Sequence, residues 1–256
     1  MFKIPYCFKK EDVINNFEND KQFYNWINNN IKKERIKRVR NGLYVTLDSM
    51  GSLSVNRFEI ASRITEKAFI AYHSALEFYG LANQVYNIVI VGSQTRFYNF
   101  DFEEIGYEYV NIKNYHDIQF IEKAQVRVPT LERTIIDCID NVNLAGGIEE
   151  LLYALGIVKQ LDEKKLLSAL ASYDNVFLYK KTGYILEHFR EWIPLSDSFF
   201  AACEAKVNNS FVYFLKDEYS NIAFNSKWKI MAPENLFSKS HILERVYLMQ
   251  QSKTKH

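Results

Sequence analysis

The sequence predicts an α+β fold in two domains, a small basic one at the N-terminus and a larger one of mixed helix and sheet behind it. Three observations carry this. From Lys32 to Arg40 six basic residues (Lys32, Lys33, Arg35, Lys37, Arg38 and Arg40) stand against one acid, Glu34, for a local net of +5. Ile36 and Val39 interrupt the run, so the segment can pack on a domain with its charges outward. Asn41-Gly42 then supplies turn residues that tolerate positive φ, and Leu43-Tyr44-Val45 resumes a strand. A basic β-hairpin directly after a helix is what the wing of a winged helix-turn-helix looks like. Second, the hydrophobic period changes from helical to strand-like at Tyr86 and reverts to helical after Pro129-Thr130. Third, charge is divided: residues 1–50 carry ten Lys/Arg against six Asp/Glu, a net of +4, and residues 51–256 carry 22 against 25, a net of −3. Phosphate neutralisation is local, so this division outweighs the overall charge of +1.

The elements follow in order. Residues 9–17 read as a short helix with Val13, Ile14 and Phe17 on one side. Asn19 or Asp20 caps the next, in which Phe23, Ile27 and Ile31 recur at i, i+4, i+8 as a buried stripe. Its other face shows Lys21, Gln22, Asn25, Asn28, Asn29 and Lys32. Amides there suit base edges because each both donates and accepts, although Asn28–Asn30 also reads as a fraying helix end. Ser49-Met50-Gly51-Ser52 marks the expected boundary between domains at 1–50 and 53–250. Val55–Thr65 and Tyr72–Tyr79 read as helices, the second closed by Gly80. Short strands are expected from Asn87, at 107–113, at 118–121 and at 125–128. Thr130 caps a helix carrying Leu131, Ile135, Ile136 and Ile139. Three more helices follow: Ile148–Lys159, an Asp162-led one to Ser172, and Val176–Trp192 with Gly183 inside it. Ser210–Leu215 and Ile222–Ile230 flank a polar turn and read as a hairpin, ahead of a mobile tail.

Several function classes lack support. With 48% hydrophobic and 25% charged residues in 256, a buried core is expected and wholesale disorder is not. Cys7, Cys138 and Cys203 form no C-x-x-C pair, so neither a zinc ribbon nor a disulfide framework is indicated. No signal-peptide core or membrane-length apolar run appears, and a cytoplasmic protein without membrane partners is expected. His73-Ser74 lacks a nucleophile elbow and reads as a helix cap. Glu132 and Asp137, with Glu103 and Glu104, are the only offer of nuclease metal ligands. Five positions separate the first two, which on a helix point apart, while Arg133 and Asp137 at i, i+4 suit a surface ion pair. His73, His116, His188, His241 and His256 show no metal-ligand spacing. No catalytic residue, metal or cofactor is expected.

Several stretches taken in order resemble the AbiEi family, antitoxins of type IV toxin–antitoxin and abortive-infection (phage-defence) systems. R-V-R-N-G-L-Y (38–44 within the basic run) is similar to that family's wing, and A-Y-H-S-A-L-E-F-Y-G-L (71–81) to its Ser-Ala-Leu helix. V-R-V-P-T-L-E-R-T-I-I-D (126–137), G-G-I-E-E-L (146–151) and T-G-Y-I-L-E (182–187) resemble later markers. The resemblance spans roughly residues 9–190. It implies a winged-helix transcriptional repressor that binds operator DNA, expected to carry inverted repeats, and a C-terminal domain that counters a nucleotidyltransferase-like toxin. The chain departs from the family in having only eight residues before the first clear helix, so the usual first helix is shortened or replaced.

The reading is a DNA-binding antitoxin and autorepressor. Its recognition face is Lys21, Gln22, Asn25, Asn28 and Asn29, and its phosphate contacts are Lys32, Lys33, Arg35, Lys37, Arg38 and Arg40. Two rivals stay open: a nucleic-acid-processing enzyme that uses the winged helix for targeting, and a protein-interaction module in which the basic hairpin is incidental.

Overall fold

A computed structural model describes residues 4–112, 114–215 and 221–237. Most of the polar turn at 216–221 and the tail lie outside the described residues. The fold is α+β, and its contacts group into two compact units. One comprises residues 1–70, 87–113 and 118–128; the other comprises 71–86, 114–117 and 129–256.

The first unit opens with β1 (Cys7–Lys9), a strand too short to show alternation in sequence. It runs into α1 (Lys10–Val13), one 3-10 turn (Ile14–Asn16) and α2 (Asp20–Lys32). Asn19 caps α2, its side chain accepting the Gln22 N–H at 3.0 Å. The hairpin follows as β2 (Ile36–Arg40) and β3 (Leu43–Thr46). β3 pairs antiparallel with both β1 and β2, giving the sheet order β1-β3-β2. Phe23 and Ile27 of α2, fully buried, pack there with Phe8, Val13, Ile36 and Tyr44, and Ile31 lies half-buried at the edge. Burying a side chain of that size contributes on the order of 1.5–3 kcal/mol, so the i, i+4 stripe fixes which face of α2 points away.

The expected boundary at Ser49–Ser52 lies inside this unit. Asp48 holds the segment as a turn, its carboxylate accepting the N–H groups of Met50 and Ser52 at 2.8 and 2.9 Å. Leu47 then bridges to Leu53. The chain continues into α3 (Arg57–Arg63), capped by Asn56, which packs against β1 and sends Arg63 to Asp12 at 3.1 Å. After β4 (Phe69–Ile70), α4 (His73–Phe78) belongs to the second unit, with Gly80 closing it at φ +70°. The first unit resumes with β5 (Ile88–Ser93), β6 (Phe100–Phe102) and β7 (Ile105–Asn111). They form a sheet of order β4-β5-β7-β6 in which β5 and β7 run parallel. β8 (Ile118–Ile121) and β9 (Val126–Pro129) pair separately.

The second unit is mainly helical. Thr130 caps α5 (Leu131–Asp140), which packs on α7 and α8 once the chain has made α6 (Ile148–Ile157), α7 (Glu163–Tyr173, capped by Asp162) and α8 (Val176–His188). α9 (Asp197–Glu204), capped by Ser196, lies against α8. The expected hairpin at 210–230 is arranged differently. β10 (Val212–Tyr213) pairs parallel to β12 (Ile230–Pro233), and the hairpin is β11 (Ile222–Asn225) with β12. The stretch Ile222–Ile230 is not one strand because Asn225 turns it, accepting the Trp228 N–H at 2.9 Å. Among the described residues no helix is long and apolar enough to cross a membrane.

Candidate nucleic-acid interface

The structure brings the predicted contact residues onto adjoining elements, α2 and the β2–β3 hairpin. At about 100° per residue, Lys21, Asn25, Asn28 and Lys32 fall within roughly 60° of one another, opposite Phe23 and Ile27. All four are exposed, so they form one polar stripe along the helix. Gln22 and Asn29 are exposed on its flank, and the Gln22 amide is engaged already. Its Oε1 accepts the Glu18 N–H at 3.1 Å and its Nε2 donates to Glu18 Oε2 at 2.7 Å. Gln22 therefore helps close the helix N-terminus and is the weakest member of the predicted recognition face. Asn28–Asn30 do not fray the helix, which continues to Lys32 with Asn30 donating to the Trp26 carbonyl at 2.8 Å.

Lys32, Lys33 and Arg35 surround the C-terminal end of α2 and are exposed. Cations there also offset the negative end of the helix dipole, so part of their work is structural. In the hairpin a register shift between Arg38 and Arg40 leaves Val39 buried and Arg38 outward. Gly42 takes φ +79°, as the turn expected at Asn41-Gly42 requires. A Cβ at Gly42 would meet nothing within 4 Å, so the cost of a substitution there is backbone strain alone. Gly42→Val is expected to destabilise by about 1–2 kcal/mol and to loosen the hairpin. A melting curve that overlays the parent's would place the strained position elsewhere.

Two predicted phosphate contacts are already occupied. Lys37 Nζ lies 2.6 Å from Glu103 Oε1, both side chains about 40% exposed, a surface pair worth less than about 1 kcal/mol. Arg40 is half-buried with its guanidinium 5.5 Å from the Phe97 ring centre and 5.2 Å from that of Phe100. Its Nη1 is buried and has no hydrogen-bond partner among the described residues. Arg40 therefore braces the hairpin on Phe97 and Phe100, and the exposed cations of the surface are Lys21, Lys32, Lys33, Arg35 and Arg38.

Most of the other chemistry-bearing residues lie in the second unit and are enclosed. The Arg133–Asp137 pair forms, but it is buried, not on the surface. Arg133 Nε donates to Asp137 at 2.6 Å, and its other nitrogens reach the carbonyls of His116 and Asn114 at 2.8 and 3.2 Å. The Tyr173 hydroxyl also donates to Asp137. Burial pushes the Asp137 carboxyl up to about 6 even though Arg133 and Tyr173 act to lower it. Glu132 accepts the Asp162 N–H at 3.0 Å, so it supports the start of α7. His73-Ser74 is not a cap: the N-cap of α4 is Tyr72, without a side-chain bond. Instead the buried His73 ring stacks on Tyr86 at 4.1 Å, with Nε2 3.2 Å from Glu150 and Nδ1 3.7 Å from Glu77. Burial raises the Glu150 carboxyl, but hydrogen bonds from His73 and the N–H groups of Gln84 and Asn83 outweigh it and hold the group below its ordinary range. Cys7, Cys138 and Cys203 are free and buried, and burial pushes Cys7 and Cys203 up to about 12, so their thiolates are suppressed at neutral pH. His73, Glu77, Glu132, Arg133, Asp137 and Glu150 of these contacts fall in the stretches 71–81, 126–137 and 146–151 that carry the resemblance.

No protein-family model and no curated protein matches the chain. Among solved structures, it is similar to the crystal structure of the RV2827C protein from Mycobacterium tuberculosis, with a TM-score of 0.63 over 95% of this chain and 90% of that one. The two share 14% identity, so the likeness shows the fold alone.

Proposed function

We propose that the protein is a DNA-binding antitoxin of the AbiEi type that represses its own operon and counters a nucleotidyltransferase-like toxin. In this reading β1, α1, α2 and the β2–β3 hairpin make a winged helix, α2 enters the major groove and the hairpin is the wing. The observation that carries it is the exposed stripe Lys21, Asn25, Asn28 and Lys32, which leads directly into a cationic hairpin. Amides flanked by cations supply both halves of DNA recognition, base-edge hydrogen bonding and phosphate positioning. The strand order β1-β3-β2 supports the same reading, in which α3, packed on β1, is the segment that would stand where the family has its first helix. The larger unit is the antitoxin part, without catalysis of its own. The enclosure of Arg133, Asp137, Glu132 and His73 favours this over the enzyme reading, because buried and mutually paired groups are poorly placed to meet a substrate.

Fluorescence anisotropy with the promoter duplex tests the interface. Each phosphate contact releases counterions, so log K falls with log salt by about 0.9 per contact. Arg35→Ala with Arg38→Ala is expected to reduce that slope by about one to two and to weaken binding to every sequence alike. Asn25→Ala with Asn28→Ala should leave the slope unchanged and cost about 1–3 kcal/mol of preference for the operator over random duplex. Slopes and preference that survive both double variants would remove this surface from DNA recognition.

A further inference from the structure

The first unit also holds a cleft of about 840 Å³ that the DNA reading leaves without a role. Its volume lies within the range of small-molecule sites. Lys9, Arg40, Arg63 and Arg127 line it, together with the aromatic rings of Tyr24 and Phe120. The acids of the lining are Glu11, Asp12 and Glu66, against five cations once Lys10 is included. Asp12 pairs with Arg63 at 3.1 Å and accepts the Lys9 backbone N–H at 2.8 Å, and Lys10 pairs with Asp20 at 2.6 Å, so the excess positive charge of the lining rests on Lys9, Arg40 and Arg127. Both aromatic rings are 47% exposed, and each has a cation set over it: Lys10 Nζ 5.9 Å from the centre of Tyr24 and the Arg127 guanidinium 5.6 Å from that of Phe120. Exposed rings paired with cations are how proteins hold a base by stacking and its phosphate by charge.

We infer that this cleft binds a nucleotide, its phosphate held among Lys9, Arg63 and Arg127 and its base stacked on Tyr24 or Phe120. Lys9 is the sharpest pointer. Its backbone is fixed in β1 by pairing with Leu43, and its half-buried ammonium faces the Arg63 and Arg40 charges. Burial and those two guanidiniums together outweigh Glu11 and Asp12 and hold it below its ordinary range, the condition a phosphate would relieve. Arg127 is held for the same task, donating to the Ser62 carbonyl at 2.8 Å while remaining part of the lining.

Isothermal titration calorimetry on the full chain decides it, with AMP and inorganic phosphate as probes. AMP should bind with one site per chain and about tenfold more tightly than phosphate, because only AMP stacks. Lys9→Gln should weaken both by about tenfold, and Tyr24→Ala with Phe120→Ala should weaken AMP by about tenfold while leaving phosphate unchanged. The two aromatic positions are exposed, so their double variant stays folded if Lys9→Gln does not, as circular dichroism will show. No heat from AMP at millimolar concentration, or AMP binding equal to the parent's in the folded aromatic variant, overturns the proposal. A 5′-phosphorylated single strand that displaces AMP would identify the nucleotide as part of a nucleic-acid chain. AMP binding that persists beside saturating strand would identify it as free.

Discussion

Arg133→Met is expected to lower the stability of the protein by about 3–5 kcal/mol near neutral pH. Methionine nearly fills the vacated volume, so the loss is electrostatic. It strands Asp137, whose side chain is fully buried, with Tyr173 as its remaining donor, while the carbonyls of His116 and Asn114 lose theirs. The penalty should shrink on acidification. The Asp137 carboxyl already titrates at about 6, above its ordinary 3.8, so the folded state takes up the proton first and stability is lost as pH rises through that value. Without Arg133 the carboxyl rises further, and the variant can neutralise it by protonation at about pH 5. Urea denaturation at about pH 5 and about pH 7.5 reads both effects, and Arg133→Met combined with Asp137→Leu should recover much of the neutral-pH loss. An equal loss at the two pH values would mean that Arg133 matters through packing instead.

Gly183→Val should come next in size, at several kcal/mol. Gly183 sits inside α8, and a Cβ there would fall against the six-membered ring of Trp228, 2.6 Å from Cε3 and nearer still to its neighbours. The ring cannot retreat cheaply. Trp228 is fully buried, and its indole N–H donates to Glu187 at 2.7 Å. Overpacking of a fixed core commonly costs about 1–3 kcal/mol for a methylene or two, and valine adds three carbons. Pairing Gly183→Val with Trp228→Leu should return part of the loss. If the single variant melts with the parent, the approach of Trp228 to α8 is looser than described.

What was legible in the sequence was whatever local chemistry decides. Phe23 and Ile27 fixed the buried face of α2, so its polar face followed; Asn19, Thr130 and Asp162 capped their helices as expected; Gly42 turned the hairpin. What was hidden depends on partners distant in the chain. The spacing of Arg133 and Asp137 shows a pair, but Tyr173, 36 positions away, helps to enclose it. Likewise Lys37 meets Glu103 across 66 positions, and Arg40 is half-buried beside Phe97 and Phe100, so a basic run that reads as uniform splits into exposed and partly covered cations. β1 and β4, of three and two residues, carry no periodicity and exist because neighbouring strands complete them.

The two compact units divide the chain elsewhere than at Ser49–Ser52, and that division bears on synthesis. The first unit draws on three separated segments, the last ending at Val128, with second-unit residues threaded between them. A ribosome therefore finishes the N-terminal hairpin long before it has delivered Phe97, Phe100 and Glu103. Until Glu103 emerges, the nascent chain carries its cationic hairpin without the aromatic rings beside Arg40 or the carboxylate beside Lys37. A chain stopped before Phe97 would carry that hairpin unbraced, and the two units cannot be parted by a single cut.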